Sequence, residues 1–119
     1  MEAPVSLIQL SIVEASEALD AVTTAIDHYA DLPDAADSLL ALQTDLECFV
    51  DPTIVGGRGV DRDKFFWVGG TPAWASRHAE ILQACVDGGR LPPNTVRPLL
   101  LLAERLRRAH LVVIDGGRQ

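Results

Sequence analysis

The chain predicts an all-α fold, a four-helix bundle of two helical hairpins, and three observations carry that prediction. Apolar residues recur at alternating spacings of four and three along the first half. Proline-led starts and a Gly-Gly stop punctuate the second half at helix-length intervals. The chain has 119 residues, 48% of them hydrophobic and 23% charged, which is the size and composition of one globular domain. The expected organisation is a single helical domain over 1–119. It comprises a helical hairpin over 5–50, a connection over 51–71 and a second hairpin over 72–114.

The first helix is predicted over about 5–30. Ile8, Ile12, Ala15, Leu19, Val22, Ile26 and Tyr29 form an apolar seam, flanked by the small residues Ser11, Ala18 and Ala25. Asp31 and Pro33 then read as the N-cap and first turn of a second helix. Ala35, Leu39, Leu42, Leu46 and Phe49 give that helix its apolar face up to about Val50, where Asp51-Pro52 ends it. So short a turn makes the two helices antiparallel neighbours. Thr71 and Pro72 start a third helix, in which Trp74, His78, Ile81 and Cys85 form one stripe and Gly88-Gly89 supplies the stop. Thr95 is read as the cap of a fourth helix, with Pro98 in its first turn and Leu99, Leu102, Ala103, Leu106 and Val113 facing inward. Leu100 and Leu101 widen its apolar arc towards a possible homodimer contact. "HLVVID" fits either the end of this helix or a short strand.

The 51–71 connection is far longer than a bundle requires. It holds "GGRGVDRDKFFWVGG", with room for a small β-hairpin pairing "TIV" against "FFWV". Four of the six aromatic residues lie in it or just after it, beside Arg58, Arg62 and the only lysine, Lys64. Such a mixture of arginine and aromatic groups is typical of interface hot spots. Arg58, Arg62, Lys64, Phe66 and Trp67 are therefore candidate partner-binding residues.

Charge is divided unevenly along the chain. Residues 1–57 hold eleven acids and no lysine or arginine, whereas 58–119 hold ten basic residues and six acids, within a net charge of −7. In an antiparallel hairpin turning near 32–33, Asp31/Asp34, Asp27/Asp37, Asp20/Asp45, Glu17/Glu47 and Glu14/Asp51 lie roughly level. Glu14, Glu17 and Asp20 join the candidate partner-binding set as part of a docking face for a basic or nucleic-acid-binding protein. The net charge argues against direct nucleic-acid binding. "EASE" at 14–17 resembles the first half of the ExxE…ExxD pattern with which all-α nucleotide pyrophosphohydrolases hold magnesium. The matching second half, Glu47 to Asp51, is one residue longer than that pattern. The resemblance implies a metal-dependent nucleotide hydrolase using Glu14, Glu17, Glu47 and Asp51 as an alternative function.

No other motif reaches a chemistry. His28, His78 and His110 lack metal-ligand spacing, and "VGGRG" lacks the lysine of a phosphate loop. Neither a metal nor another cofactor is expected, and no catalytic residue is assigned. Cys48 and Cys85 read as free thiols of a reducing cytoplasm. The acidic start predicts no signal peptide, and no apolar run is long enough for a membrane span. Arginine outnumbers lysine nine to one, which suits a GC-rich bacterial or phage genome. The expectation is a small acidic, non-catalytic protein that occludes or positions a protein partner, as a regulator, immunity protein or anti-defence inhibitor does. Self-assembly as a structural subunit is the other alternative.

Overall fold

A computed structural model describes residues 2–50, 65–69 and 72–115. The elements run β1 (Glu2–Gln9), α1 (Ile12–His28), α2 (Pro33–Val50), β2 (Phe65–Gly69), α3 (Pro72–Asp87), α4 (Pro93–Arg107) and β3 (His110–Asp115). The four helices pack against one another as a bundle, as the periodicity predicts. Among the described residues, no helix is long and apolar enough to cross a membrane.

To the bundle the structure adds a three-stranded antiparallel sheet in the order β2-β1-β3. Its central strand occupies residues expected to open the first helix. The reason lies at Ser11, whose side chain accepts a hydrogen bond from the Glu14 N–H at 3.1 Å. The Glu14 carboxylate in turn accepts from the Ser11 N–H at 3.0 Å. This reciprocal capping box starts α1 at Ile12 and leaves the preceding residues extended. Ile8 is buried in either conformation, so the apolar seam continued smoothly past the true helix start. "FFWV" pairs with β1, and its expected partner Thr53–Val55 lies outside the described residues. "HLVVID" forms β3, so Val113 belongs to the sheet rather than to α4.

Two helix starts also differ from expectation. The Leu32 carbonyl accepts the first bond of α2, from Ala36, while Asp31 is turned to an ion pair with Arg90. Helix α4 begins at Pro93 with Pro92 in the cap position, which places Thr95 inside the first turn, buried, and Pro98 within the helix. Proline at 98 cannot bond the carbonyl four residues back, that of Asn94. Thr71 lies outside the described residues.

The core joins Ile8 and Leu10 of the strand end to all four helices. On α1 the fully buried stripe is Ala15, Ala18, Val22 and Ala25, whereas Ile12, Leu19 and Ile26 are only partly covered. Helix α1 contacts both α2 and α4. Small side chains facing these neighbours allow close approach on both flanks. Leucines supply most of the remaining volume: Leu39, Leu42 and Leu46 on α2, Leu82 on α3, and Leu99, Leu102 and Leu106 on α4. Truncating one such leucine to alanine typically costs about 2–5 kcal/mol.

The ends of α1 and α3 are fastened together. Tyr29, the C-terminal cap of α1, is buried and donates its hydroxyl to the Cys85 carbonyl at 2.6 Å. That carbonyl is in the last turn of α3, where helical partners run out. Gly88 has a steric role here, because a Cβ at that position would collide with the Tyr29 hydroxyl. Gly89 takes the left-handed conformation, φ +74°, that closes the helix. Tyr29→Phe should lower stability by about 1–2 kcal/mol, shifting the melting temperature by roughly 4–8 °C. Gly88→Ala should cost more. In a urea double-mutant cycle, the double variant should lose less than the sum of the two, because phenylalanine vacates the space the new methyl needs.

Candidate functional site

The seam between α2 and α3 holds two of the three buried polar side chains among the described residues, Ser38 and His78; the third, Thr95, is on α4. Asp34, Asp37, Ser38 and Ala41 are spaced three, one and three along α2; Trp74, Arg77, His78 and Ile81 are spaced three, one and three along α3. Each set therefore lines one helical face, and together they enclose a cleft of about 220 Å³. Ser38 and His78, 4% and 5% exposed, form its floor and are hydrogen-bonded through Ser38 Oγ and His78 Nδ1. The Trp74 and His78 rings are perpendicular, with centroids 4.0 Å apart and planes at 84°. Among the described residues, His78 Nε2 is the one buried side-chain polar atom without a hydrogen-bond partner.

Burial lowers the pKa of His78 below the ordinary histidine value, and the Arg77 charge lowers it further. The ring is consequently neutral at neutral pH. As a nucleophile pair this arrangement is incomplete. Ser38 is covered, and no carboxylate among the described residues orients the second imidazole nitrogen, as serine-histidine chemistry requires. What the pair does is clasp α2 to α3 with a satisfied polar contact on one side and an open valence on the other.

The carboxylates of the first hairpin fall into two groups. Glu14 is committed within the fold: besides the capping box, it receives the Arg105 guanidinium at 3.4 Å, and the same guanidinium donates to the Gln9 carbonyl at 2.7 Å. Asp31 pairs with Arg90 at 3.0 Å. Glu17, Asp20, Asp27, Asp34, Asp37 and Glu47 are exposed and carry no ion pair among the described residues. The expected hairpin register is present, since Gln43 donates to Thr23 at 3.1 Å and so brings the two helices level there. Asp45, half-buried on α2, has its pKa raised to about 6, and the cause is burial rather than a facing carboxylate.

Glu17 and Asp20 line a broad groove of about 890 Å³ between α1 and the start of α4, opposite Arg97 and Pro98. Among the described residues, no three histidines, cysteines or acids come together as a metal site. Asp51, the fourth residue of the magnesium pattern, lies outside those residues, as do Arg58, Arg62 and Lys64. Phe66 and Trp67 are placed in β2, in register with Ile8 and Leu7 respectively.

The chain matches no protein-family model, no curated protein and no solved structure.

Sequence reasoning left Ser38 unmentioned and treated His78 as an isolated member of an apolar stripe. The available signal was one polar residue on the buried face of each of two helices. Buried polar groups seldom go unpaired, so two such residues point to each other.

The two shifted groups act oppositely on stability. His78 is harder to protonate in the fold, so its contribution is complete above pH 6.5 and is lost as the pH falls below it. Asp45 is easier to protonate in the fold, so its desolvation penalty is present above about pH 6 and is relieved as the pH falls towards 3.8. Asp45→Asn should therefore stabilise the protein at pH 8 by about 1 kcal/mol after allowance for solvent screening. At pH 4 the same substitution should have little effect in urea denaturation. In that background, the loss of stability between pH 6.5 and 5 should shrink on His78→Leu.

Proposed function

We propose that this protein is a non-catalytic binding module that docks through the exposed acidic face of α1 and α2 onto a basic surface of a protein partner, occluding or positioning it. The observation that carries this reading is the set of six exposed carboxylates, Glu17, Asp20, Asp27, Asp34, Asp37 and Glu47, none of which forms an ion pair among the described residues. Arg90 and Arg105 neutralise Asp31 and Glu14 at the margins of that face and no more. Six like charges on two adjacent helices repel one another, and of the six Asp34 has a local role, in the first turn of α2. Their benefit is external: a field of one sign steers an oppositely charged partner and selects its orientation.

A nucleic-acid-binding protein presents a complementary surface, which supports occlusion of such a partner by an inhibitor or immunity-type regulator. Arg58, Arg62, Lys64, Phe66 and Trp67 of the long connection are the proposed second contact. The two free thiols, Cys48 and Cys85, favour a reducing cytoplasm as the place of action.

The test compares wild type with the Glu17→Gln/Asp20→Asn/Asp34→Asn/Asp37→Asn variant as bait for partners from the host. The affinity of a captured partner should fall at least tenfold between 50 and 300 mM salt, and by a similar factor in the variant at low salt. A partner held equally by both proteins and indifferent to salt would overturn the acidic face as the docking surface.

A further inference from the structure

The seam between α2 and α3 is fastened unevenly along its length. At one end, Tyr29 donates to the Cys85 carbonyl at 2.6 Å, and Arg90 bonds the Asp31 carboxylate at 3.0 Å and the His28 carbonyl at 3.3 Å. These bonds tie the turn between α1 and α2 to the end of α3. About two turns from Cys85 stands the Ser38–His78 pair, among the described residues the one side-chain hydrogen bond that joins α2 to α3. The contact between these helices is less extensive than the α1–α2, α1–α4 and α3–α4 contacts, and the 220 Å³ cleft opens beside the pair.

We infer that the pair is an acid-sensitive latch: protonation of His78 drives the imidazolium towards water and parts α2 from α3 at mid-seam, pivoting on the end that Tyr29 and Arg90 fasten. The neutral ring is 5% exposed, with Nδ1 engaged by Ser38 and Nε2 without a partner. Either tautomer leads to the same end. The cation carries a donor on both nitrogens and a charge that burial deprives of water, and parting the helices restores that water. Parting uncovers Leu42 and Leu46 on α2 and Ala75 on α3, all fully buried in the closed form.

Among the described residues, the charges around the ring supply no buried counterion. On α3, Arg77 is a like charge and Glu80 is exposed. From α2, Asp34 and Asp37 stand exposed at the rim of the cleft, and half-buried Asp45 lies two turns beyond Ser38. From α4, Arg105 is engaged by Glu14, Glu104 by Arg108 and Arg107 by Gln83, while Arg97 lines the groove beside α1. Burial, and after it Arg77, accordingly hold the closed ring below the ordinary histidine value. In the parted form the ring meets water and titrates near 6.5. The latch is therefore fully closed above pH 6.5, and the parted fraction grows as the pH falls, by up to about tenfold per unit.

The test reads thiol exposure with dithiodipyridine, which reacts with thiols in acid as well as at neutral pH. Ala75→Cys places a reporter in the seam, three residues before His78. Cys85, 2% exposed at the fastened end, is the internal control, and Cys48→Ser removes the third thiol. Rates are divided by those of the urea-unfolded chain at the same pH. Between pH 7.5 and 5 the reporter should become about tenfold more reactive, and Cys85 should change by less than about twofold. His78→Gln keeps an amide for Ser38 but cannot take the proton, and His78→Leu cannot either, so in both backgrounds the reporter should stay flat. Circular dichroism at pH 7.5 establishes which variants are folded. A reporter indifferent to pH beside the native His78 would overturn the inference, as would a rise that persists in a folded His78 variant. Cys85 rising in step with the reporter would overturn it too, since the whole bundle would then be unfolding rather than one seam parting.

Discussion

The conversion from strand to helix at Ser11 is the constraint on which the rest of the fold depends. A helix running on from residue 5 would remove the central strand, and β2 and β3 would have nothing between them to pair with. The capping box prevents this locally, and Arg105 reinforces it from the far end of the chain by holding both the Glu14 carboxylate and the Gln9 carbonyl. One carboxylate thus terminates β1, starts α1 and anchors α4 across the junction. The ion pair is partly exposed, and exposed pairs add little energy by themselves. Its importance is geometric, because it aligns two elements ninety residues apart in sequence.

Beyond that junction, the bundle shows two kinds of interface. Where α1 meets α2 and α4, alanines and leucines close the contact by shape. Where α2 meets α3, a serine-histidine bond bridges a looser seam, and charged or aromatic residues crowd its rim. An apolar seam would be stronger, since burying a polar pair gains little net free energy over leaving it in water. The polar seam exchanges that stability for a recess with defined walls. A recess set into a packed bundle is the usual division between scaffold and site.

The helical bundle was legible because long, strongly periodic segments report burial directly. The four helices, their antiparallel hairpins and the Gly88-Gly89 stop all follow from spacing and backbone conformation. The sheet was less so. Ile8 satisfies both a helical seam and a strand's inward position, and only the Ser11-x-x-Glu14 signature distinguishes them. The caps lie at Pro92 rather than Thr95 and at Leu32 rather than Asp31, three positions and one position from expectation, because proline marks a first turn without specifying which residue caps it. Of the sites, the acidic surplus of the first half needs no structure to see. The Ser38–His78 pairing joins residues forty positions apart, and only the relative rotation of two helices brings them together.

The sheet order also sets a sequence of events for the newly made chain. Among the described elements the central strand is made before the helices and its neighbour β3 after them, with more than a hundred residues between the paired positions. Closing so long a loop carries an entropic cost that no local contact offsets. The two helical hairpins, by contrast, are made of near neighbours and can form as they emerge. The helical hairpins are therefore expected to form before the sheet closes. Until β3 arrives, an unpaired strand edge stays open to any extended chain nearby.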